Sequence, residues 1–251
     1  MKDFKFYKLV VFVNALVPLA LLAWDWARGQ VGANPVDFVT RTTGTLTLVF
    51  LVLTLAVTPL RKLTGVQWLI RFRRMLGLYA FFYGSLHLLT YVCFDKWFDL
   101  RAIAQDVARR RFILVGMLAF TTMIPLAVTS TDKMIKRLGG KRWQKLHRLT
   151  YLSAVAGVLH YYLLVKSDTR KPLLFAAVLA VLLGFRLFNS YTKRLKAKPV
   201  SISWTVSRTR SSIRSHSEKI RILVPGSARS SSRISRSSVS LGQTRHSESR
   251  M

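Results

Sequence analysis

Three of the five histidines lie in or beside long apolar segments of the chain, namely His87, His147 and His160. An ionisable side chain inside a bilayer is costly, so such a residue usually has a function. One histidine of this kind could simply hydrogen-bond a neighbouring helix. Three on two predicted helices, with few other charges around them, favour ligands of a cofactor. The remaining two, His216 and His246, lie in a Ser/Arg-rich stretch and are given no role.

The depth of two of these histidines indicates which cofactor they could bind. One apolar segment begins at Met75 and another near His147, and both are predicted to run outward from the inner face of a membrane. At about 1.5 Å per residue, His87 lies about 18 Å and His160 about 20 Å from the inner edge. Two helices that present one imidazole each at the same depth can ligate one haem from both faces. Such ligation leaves no open iron position, which suits electron transfer rather than oxygen binding.

The third histidine, His147, is predicted at the inner edge of the membrane, too far from His160 to share its iron. Its counterpart on the other helix would be Arg73 or Arg74, and neither is a plausible iron ligand. A second bis-histidine haem below the first is therefore not supported. His147 could bind a second haem with an unidentified partner, help to hold a flavin or quinone, or be an ordinary interfacial histidine.

The helices that must position these residues are visible as six apolar blocks in a chain of 251 residues, 51% of which are hydrophobic. A bilayer core about 30 Å thick needs roughly 20 residues of helix to cross it. We therefore predict an all-α membrane protein, a six-helix transmembrane bundle over residues 1–199. The predicted spans are approximately Leu9–Trp24, Thr43–Leu60, Met75–Phe94, Phe112–Thr129, His147–Val165 and Pro172–Phe188.

The distribution of charge predicts the orientation of the bundle. Dense Lys/Arg clusters follow the second, fourth and sixth spans, whereas the other connections mix basic and acidic residues. Because cytoplasmic loops are enriched in Lys and Arg, both termini are predicted to be cytoplasmic. The basic run Arg109–Arg111 would then lie on the outer side, against this rule. Tryptophans fall at the predicted span ends, as interfacial aromatic residues do: Trp24, Trp26, Trp68, Trp97 and Trp143.

The C-terminal stretch at residues 200–251 differs from the rest, since 17 of the last 51 residues are serine. Few apolar residues interrupt this composition, which predicts a disordered tail. Alternating Arg and Ser can bind RNA or anionic lipid, but a solvated tail or a non-native extension is the favoured interpretation. The net charge of +30 is otherwise explained by membrane topology, so nucleic acid is not predicted as a partner.

Other chemistry-bearing motifs are missing from the sequence. There is no GxGxxG after a strand, no P-loop, no Cys/His metal cluster and no serine-hydrolase elbow. Electron donors and acceptors would therefore dock from elsewhere or dissolve in the membrane. Two alternatives stay open: an ion or proton transporter with histidine relays, which the absence of a clear internal repeat and of acidic residues in the spans disfavours, and a cofactor-free membrane anchor.

Several motifs together resemble the MsrQ (YedZ) family over about residues 7–195. They are GANP at 32–35, LIRFRRMLGL at 69–78, SLHL at 85–88, LAVTST at 126–131, WQKLHRLTY at 143–151 and the pair His160-Tyr161. The resemblance implies a haem b protein of the bacterial inner membrane, within the ferric-reductase-like transmembrane group and with FMN also associated. His87, His147 and His160 match the haem-related histidines of that family.

The resemblance also implies a place in an electron-transfer system. Electrons would come from the quinone pool and pass to a periplasmic, MsrP-like molybdopterin subunit that reduces methionine sulfoxide in oxidised periplasmic proteins. The chain itself would be a non-catalytic subunit. A basic inner rim is our candidate for an anionic or quinone headgroup, although positive-inside anchoring is the competing explanation for its arginines. This rim consists of Arg71, Arg73, Arg74, His147 and Arg148.

Overall fold

The computed structural model describes residues 2–196, and these residues form helices joined by short turns, with no strand among them. The predicted disordered tail at 200–251, with His216 and His246, lies outside the described residues. Nine α-helices follow one another within residues 2–196. They are α1 (Lys2–Ala27), α2 (Pro35–Thr64), α3 (Phe72–Thr90), α4 (Leu100–Arg109), α5 (Arg111–Val128), α6 (Asp132–Leu138), α7 (Gly140–Leu146), α8 (Leu149–Leu164) and α9 (Arg170–Lys196), with a 3-10 turn at Gln67–Arg71 before α3 and a π-helical turn at Tyr91–Asp95 after it.

Five of the predicted spans are helices long and apolar enough to cross a membrane: α1, α2, α3 with its flanking turns, α5 and α9. The predicted fifth span corresponds to α8, which has 16 residues and begins at Leu149 instead of His147. An α-helix of that length extends about 24 Å, less than a hydrocarbon core about 30 Å thick. By length and composition, the described helices therefore include five candidate spans, and the sixth span stays a prediction.

The ends of α2 are fixed by local chemistry. At its start, the side-chain oxygen of Asn34 accepts a hydrogen bond from the backbone N–H of Asp37 at 3.1 Å, and Pro35 occupies the first turn. An Asn cap followed by proline is a common helix start, because both satisfy or remove free N–H groups. At its end, Gly65 has a φ of 73°, a left-handed conformation that glycine adopts without strain.

One part of the core joins α1, α2 and α3 through aromatic side chains. The rings of Phe50 and Tyr83 stack with centroids 5.3 Å apart, and Tyr83 is completely buried. Its hydroxyl donates to the backbone oxygen of Ala15 at 2.7 Å, and the hydroxyl of Tyr79 donates to that of Phe12 at 2.9 Å. Buried tyrosine hydroxyls need such partners. These bonds fasten α3 to α1.

A second part of the core joins α2 to α8 and α9, through Leu48, Leu55, Ala154, Val158 and Leu179. Helix α2 thus contributes to both parts of the core. It packs closely along α3, and α5 packs closely along α8, so the fold contains two main helix pairs. The faces of the spans that point away from the core are largely apolar, which suits contact with lipid. Examples are Leu53, Leu114, Leu118, Leu152, Val181 and Leu187.

Candidate functional site

The two main helix pairs bring His87 and His160 together. His87 lies three residues before the end of α3, and His160 lies four residues before the end of α8. Their ring centroids are 6.1 Å apart and their ring planes cross at 78°. The two imidazoles, predicted to lie at equal depth from helical rise alone, therefore face each other near the same end of the bundle.

Each imidazole is held by a backbone carbonyl of the partner helix in its pair. Nδ1 of His87 lies 2.8 Å from the oxygen of Thr40 on α2, and Nδ1 of His160 lies 2.6 Å from the oxygen of Phe112 on α5. A carbonyl oxygen only accepts, so Nδ1 carries the proton and donates in both cases. Nε2 of each ring is then left with its lone pair. This is the tautomer that metal-binding histidines use.

The spacing of the rings fits a single metal ion between them. An imidazole nitrogen binds a first-row metal at about 2.0 Å and the ring centroid lies roughly 1.2 Å further, so two rings on opposite sides of one metal have centroids about 6.4 Å apart. The observed 6.1 Å is close to this value. No group of three or more His, Cys, Asp or Glu that could hold a metal occurs among residues 2–196. A metal here would need further ligands from a cofactor, as haem provides.

His147 lies in a different setting, in the turn between α7 and α8. Its ring stacks on Trp143 with centroids 3.9 Å apart, and its Nε2 is 3.3 Å from the hydroxyl of Thr129. The indole N–H of Trp143 donates to the backbone oxygen of Thr129 at 2.9 Å. Trp143, expected from the sequence as an interfacial anchor, therefore holds His147 against the end of α5. No second histidine among the described residues faces it.

In the structure, the arginines of the predicted basic inner rim have different surroundings. Arg74 forms an ion pair with Asp132 at the start of α6, which commits its guanidinium to a protein carboxylate. Arg148 is exposed at the start of α8, and Arg71 is exposed at the end of the 3-10 turn. Arg73 is partly buried, and its charge acts on His147. Of the four arginines, Arg73 is thus the one that accompanies His147.

Arg186 of α9 is a polar residue that the sequence reasoning did not single out. Its guanidinium donates to the hydroxyls of Tyr151 and Thr58, and its charge centre lies 4.9 Å from the ring of Tyr151. No carboxylate among the described side chains, residues 5–192, is paired with Arg186 or Arg73, whose charges act on each other. The sequence did contain a signal for Arg186, since it is the one arginine inside the predicted sixth span. A charged residue within a membrane span is by default a candidate functional residue.

A polar network centred on Asp106 of α4 lies just beyond the C-terminal end of α3, which is the end that carries His87. Its carboxylate accepts from Lys96 at 2.7 Å and from the hydroxyl of Tyr91 at 3.0 Å, and it lies 3.3 Å from Arg110. The ammonium of Lys96 lowers the pKa of Asp106 below its usual range, and the same pairing raises the pKa of Lys96. This network ties α4 to the segment that follows His87.

Comparison with known proteins gives a consistent result. Residues 43–158 match the family described as ferric reductase like transmembrane component. The chain is 52% identical over 191 residues to a "Protein-methionine-sulfoxide reductase heme-binding subunit MsrQ" of Herminiimonas arsenicoxydans, covering 75% of this chain and 88% of that protein. It is 53% identical over 189 residues to the protein of the same name from Ralstonia nicotianae, covering 74% and 87%. For the protein of the same name from Rhodospirillum rubrum, the identity is 48% over 194 residues, which cover 77% of this chain and 93% of that protein.

Proposed function

The chain belongs to the MsrQ family of membrane proteins, and we propose that it is a membrane electron-transfer subunit that holds haem b between His87 and His160. The observation that carries the proposal is the facing pair of imidazoles, whose centroid distance of 6.1 Å suits two ligands of one iron. The names of the relatives, which describe heme-binding subunits, support it independently.

The residues of the chain would perform three tasks for this haem, which when bound supplies a one-electron redox couple. His87 and His160 would ligate it through Nε2. The carbonyls of Thr40 and Phe112 accept hydrogen bonds from Nδ1–H, which fixes the ring orientation and makes the imidazoles more basic. The surrounding helices would exclude water, and a site of low polarity would contribute to the reduction potential.

We propose that electrons enter from the quinone pool and leave on the periplasmic side, toward an MsrP-like molybdopterin subunit that reduces methionine sulfoxide in oxidised periplasmic proteins. Both imidazoles lie within four residues of the ends of their helices, at the end of the bundle predicted to be periplasmic. An electron on a haem at this depth has only a short distance left to a partner docked outside. The chain would then be the membrane subunit of a bacterial inner-membrane repair system.

The inner half of the bundle is our candidate for the quinone headgroup or for FMN, which the family resemblance implies. Our candidate residues are His147 with Arg73, to which we add Arg186. Two arginines that act on each other without a paired carboxylate favour a ligand with an anionic or strongly accepting group. Arg71 and Arg148 stay candidates at the exposed rim, while Arg74 is less suitable because its guanidinium forms an ion pair with Asp132.

We also propose that α8 is a sixth span, with both termini cytoplasmic. Helix α8 is short, but a basic segment directly precedes it, formed by α7 and the turn at His147. Flanking residues can adjust a bilayer to a short span at modest cost. Tagging of the two termini and measurement of their accessibility in intact and permeabilised cells would test this topology; a periplasmic N-terminus would contradict it.

The ligand pair is tested by single substitutions in the purified full-length protein. We expect His87→Ala and His160→Ala each to remove most of the haem measured as pyridine haemochrome, because one remaining imidazole cannot hold the iron from both sides. His147→Ala is the matched control and should keep the full haem content and the reduced spectrum. Unchanged haem in both ligand variants would overturn the proposal, and a colourless wild-type protein would favour a transporter or a simple anchor.

A further inference from the structure

Two glycines lie directly against the imidazoles of the proposed haem ligands. Gly44 of α2 faces His87: a Cβ atom added there would come within 3.0 Å of Nδ1 and 3.1 Å of Cε1. Gly116 of α5 faces His160, where the same distances would be 2.7 and 2.8 Å. At both positions the imidazole occupies the space that any other side chain would need.

The two contacts are built in the same way. Thr40, whose carbonyl accepts from Nδ1 of His87, lies four residues before Gly44, and Phe112 stands in the same relation to Gly116. Four residues are one helical turn, so carbonyl and glycine form a continuous strip on one face of each helix. The two helix pairs, α2 with α3 and α5 with α8, therefore repeat one arrangement of carbonyl, glycine and histidine.

We propose that Gly44 and Gly116 are positioning residues for the two axial ligands, a role that rests on the haem function proposed above. Each glycine lets the imidazole lie against the helix backbone, so that Nδ1 reaches the carbonyl one turn earlier. Nε2 is then directed away from that helix, toward the opposite ring. Any side chain at either glycine would move the imidazole away from its carbonyl, and Nε2 would no longer be directed toward the opposite ring.

The distances predict unequal effects at the two positions. An ordinary contact begins near 3.4 Å, so alanine at 116 would require the ring of His160 to retreat by about 0.7 Å, whereas alanine at 44 would require about 0.4 Å from His87. Each ring is itself held by a short hydrogen bond and cannot move without lengthening it. Substitution at Gly116 should therefore be the more damaging of the two.

Two other glycines provide matched controls in the same bundle. A Cβ on Gly77 of α3 would come no closer than 3.7 Å, to a methyl group of Thr54, and on Gly184 of α9 it would meet nothing within 4 Å. Alanine has a higher helix propensity than glycine. A general effect of glycine replacement on helix stability would thus appear in the controls and would favour folding.

The experiment compares Gly44→Ala, Gly116→Ala, Gly77→Ala and Gly184→Ala in the full-length protein purified under identical conditions. The measurements are haem per polypeptide, the haem midpoint potential and the electron paramagnetic resonance spectrum of the oxidised protein. We expect haem affinity to fall roughly 10- to 100-fold for Gly116→Ala, in the range known for residues that orient metal ligands, and less for Gly44→Ala. Haem that remains should have a raised midpoint potential, because a ligand that loses its Nδ1–H bond is less basic and stabilises ferric iron less.

Failure of this inference can be told apart from failure of the haem proposal. If the wild-type protein binds bis-histidine haem but Gly44→Ala and Gly116→Ala match the two controls in haem content, potential and spectrum, the positioning role is wrong and the haem site stands. If Gly116→Ala does not accumulate, the milder Gly44→Ala, which requires a smaller displacement of the ring, is compared with the two controls instead. If the wild-type protein has no bis-histidine haem, the function itself is wrong.

Discussion

The two halves of this bundle, which we predict to be its outer and inner halves, use histidine in opposite ways. In the outer half, His87 and His160 approach each other from two helix pairs, and both keep Nε2 free because Nδ1–H donates its hydrogen bond to a carbonyl. In the inner half, Nε2 of His147 is next to the Thr129 hydroxyl and the ring lies against Trp143, with an arginine nearby instead of a second imidazole. The outer arrangement is suited to an iron ligand pair, whereas the inner one is suited to an anionic or hydrogen-bonding ligand.

The largest effect expected in the inner half comes from Arg186→Leu. Loss of the guanidinium removes its bonds to Tyr151 and Thr58 and one of two positive charges that could receive a ligand. We expect reduction of the haem by a quinol analogue to slow roughly 10-fold or more, in line with loss of a charged hydrogen bond. Haem content and the dithionite-reduced spectrum should stay unchanged. Arg142→Leu, at an exposed position on α7 outside the candidate residues, is the control and should leave the quinol rate intact.

An unchanged quinol rate in Arg186→Leu would contradict the placement of an electron-entry site beside this residue. Loss of haem in the same variant would show instead that Arg186 supports the outer half, which would weaken the division between the two halves. A rate that falls equally in Arg142→Leu would indicate a general effect of charge on this side of the bundle.

A smaller effect is expected from Tyr83→Phe, which probes how the helix of His87 is anchored. Tyr83 lies one turn before His87 on α3, and its buried hydroxyl donates to Ala15 of α1. Loss of that bond should destabilise the folded protein by about 1 kcal/mol. The temperature at which haem absorbance is lost should fall, while haem content at low temperature stays normal. Thr121→Val is the control, since its hydroxyl bonds only within its own helix; an equal fall there would contradict a specific anchoring role.

A similar substitution in the inner half is Trp143→Phe. Phenylalanine keeps a ring for stacking on His147 but loses the N–H that donates to Thr129. Since Trp143 is only partly buried, we expect a cost below about 1 kcal/mol and a modest decrease in the quinol rate, with no change in the haem spectrum. A changed haem spectrum would mean that His147 acts on the haem directly.

The smallest effect concerns acid sensitivity at the outer end. Because Lys96 lowers the pKa of Asp106, the folded state gains stability from this carboxylate above its ordinary pKa near 3.8, and loses it as the pH falls through the lowered value. Asp106→Asn should remove this part of the acid dependence of unfolding below about pH 4. Asp168→Asn, in another connection, is the comparison, and an identical change in acid dependence there would argue against a role for the Lys96 pairing.

The meeting of His87 and His160 could be predicted from the sequence because it depends mainly on helical rise along two spans. The contacts of Arg74 with Asp132 and of Trp143 with Thr129 could not, since they depend on how α6 and α7 fold back in a connection that the sequence presents only as basic and polar. The start of α8 at Leu149 was also missed, because the apolar pattern runs through the turn at His147.

The repeated arrangement of carbonyl, glycine and histidine was invisible for a different reason. It requires one glycine and one histidine in each helix pair. The accepting group is a backbone carbonyl, which every residue type has, so the sequence does not indicate its position. No internal repeat is therefore evident along the chain, although Gly44 with His87 and Gly116 with His160 are separated by almost equal stretches of sequence. Only the packing of α2 on α3 and of α5 on α8 reveals the equivalence.

The most direct test of the central claim is electron paramagnetic resonance of the oxidised, haem-loaded full-length protein, compared with its His87→Ala and His160→Ala variants. We predict a low-spin ferric signal of the strongly anisotropic type, because imidazole planes crossed at 78° leave two iron orbitals nearly equal in energy. Any haem retained by either variant should become high-spin, with one axial position open. A high-spin wild-type signal, or a low-spin signal unchanged in both variants, would contradict ligation by this pair.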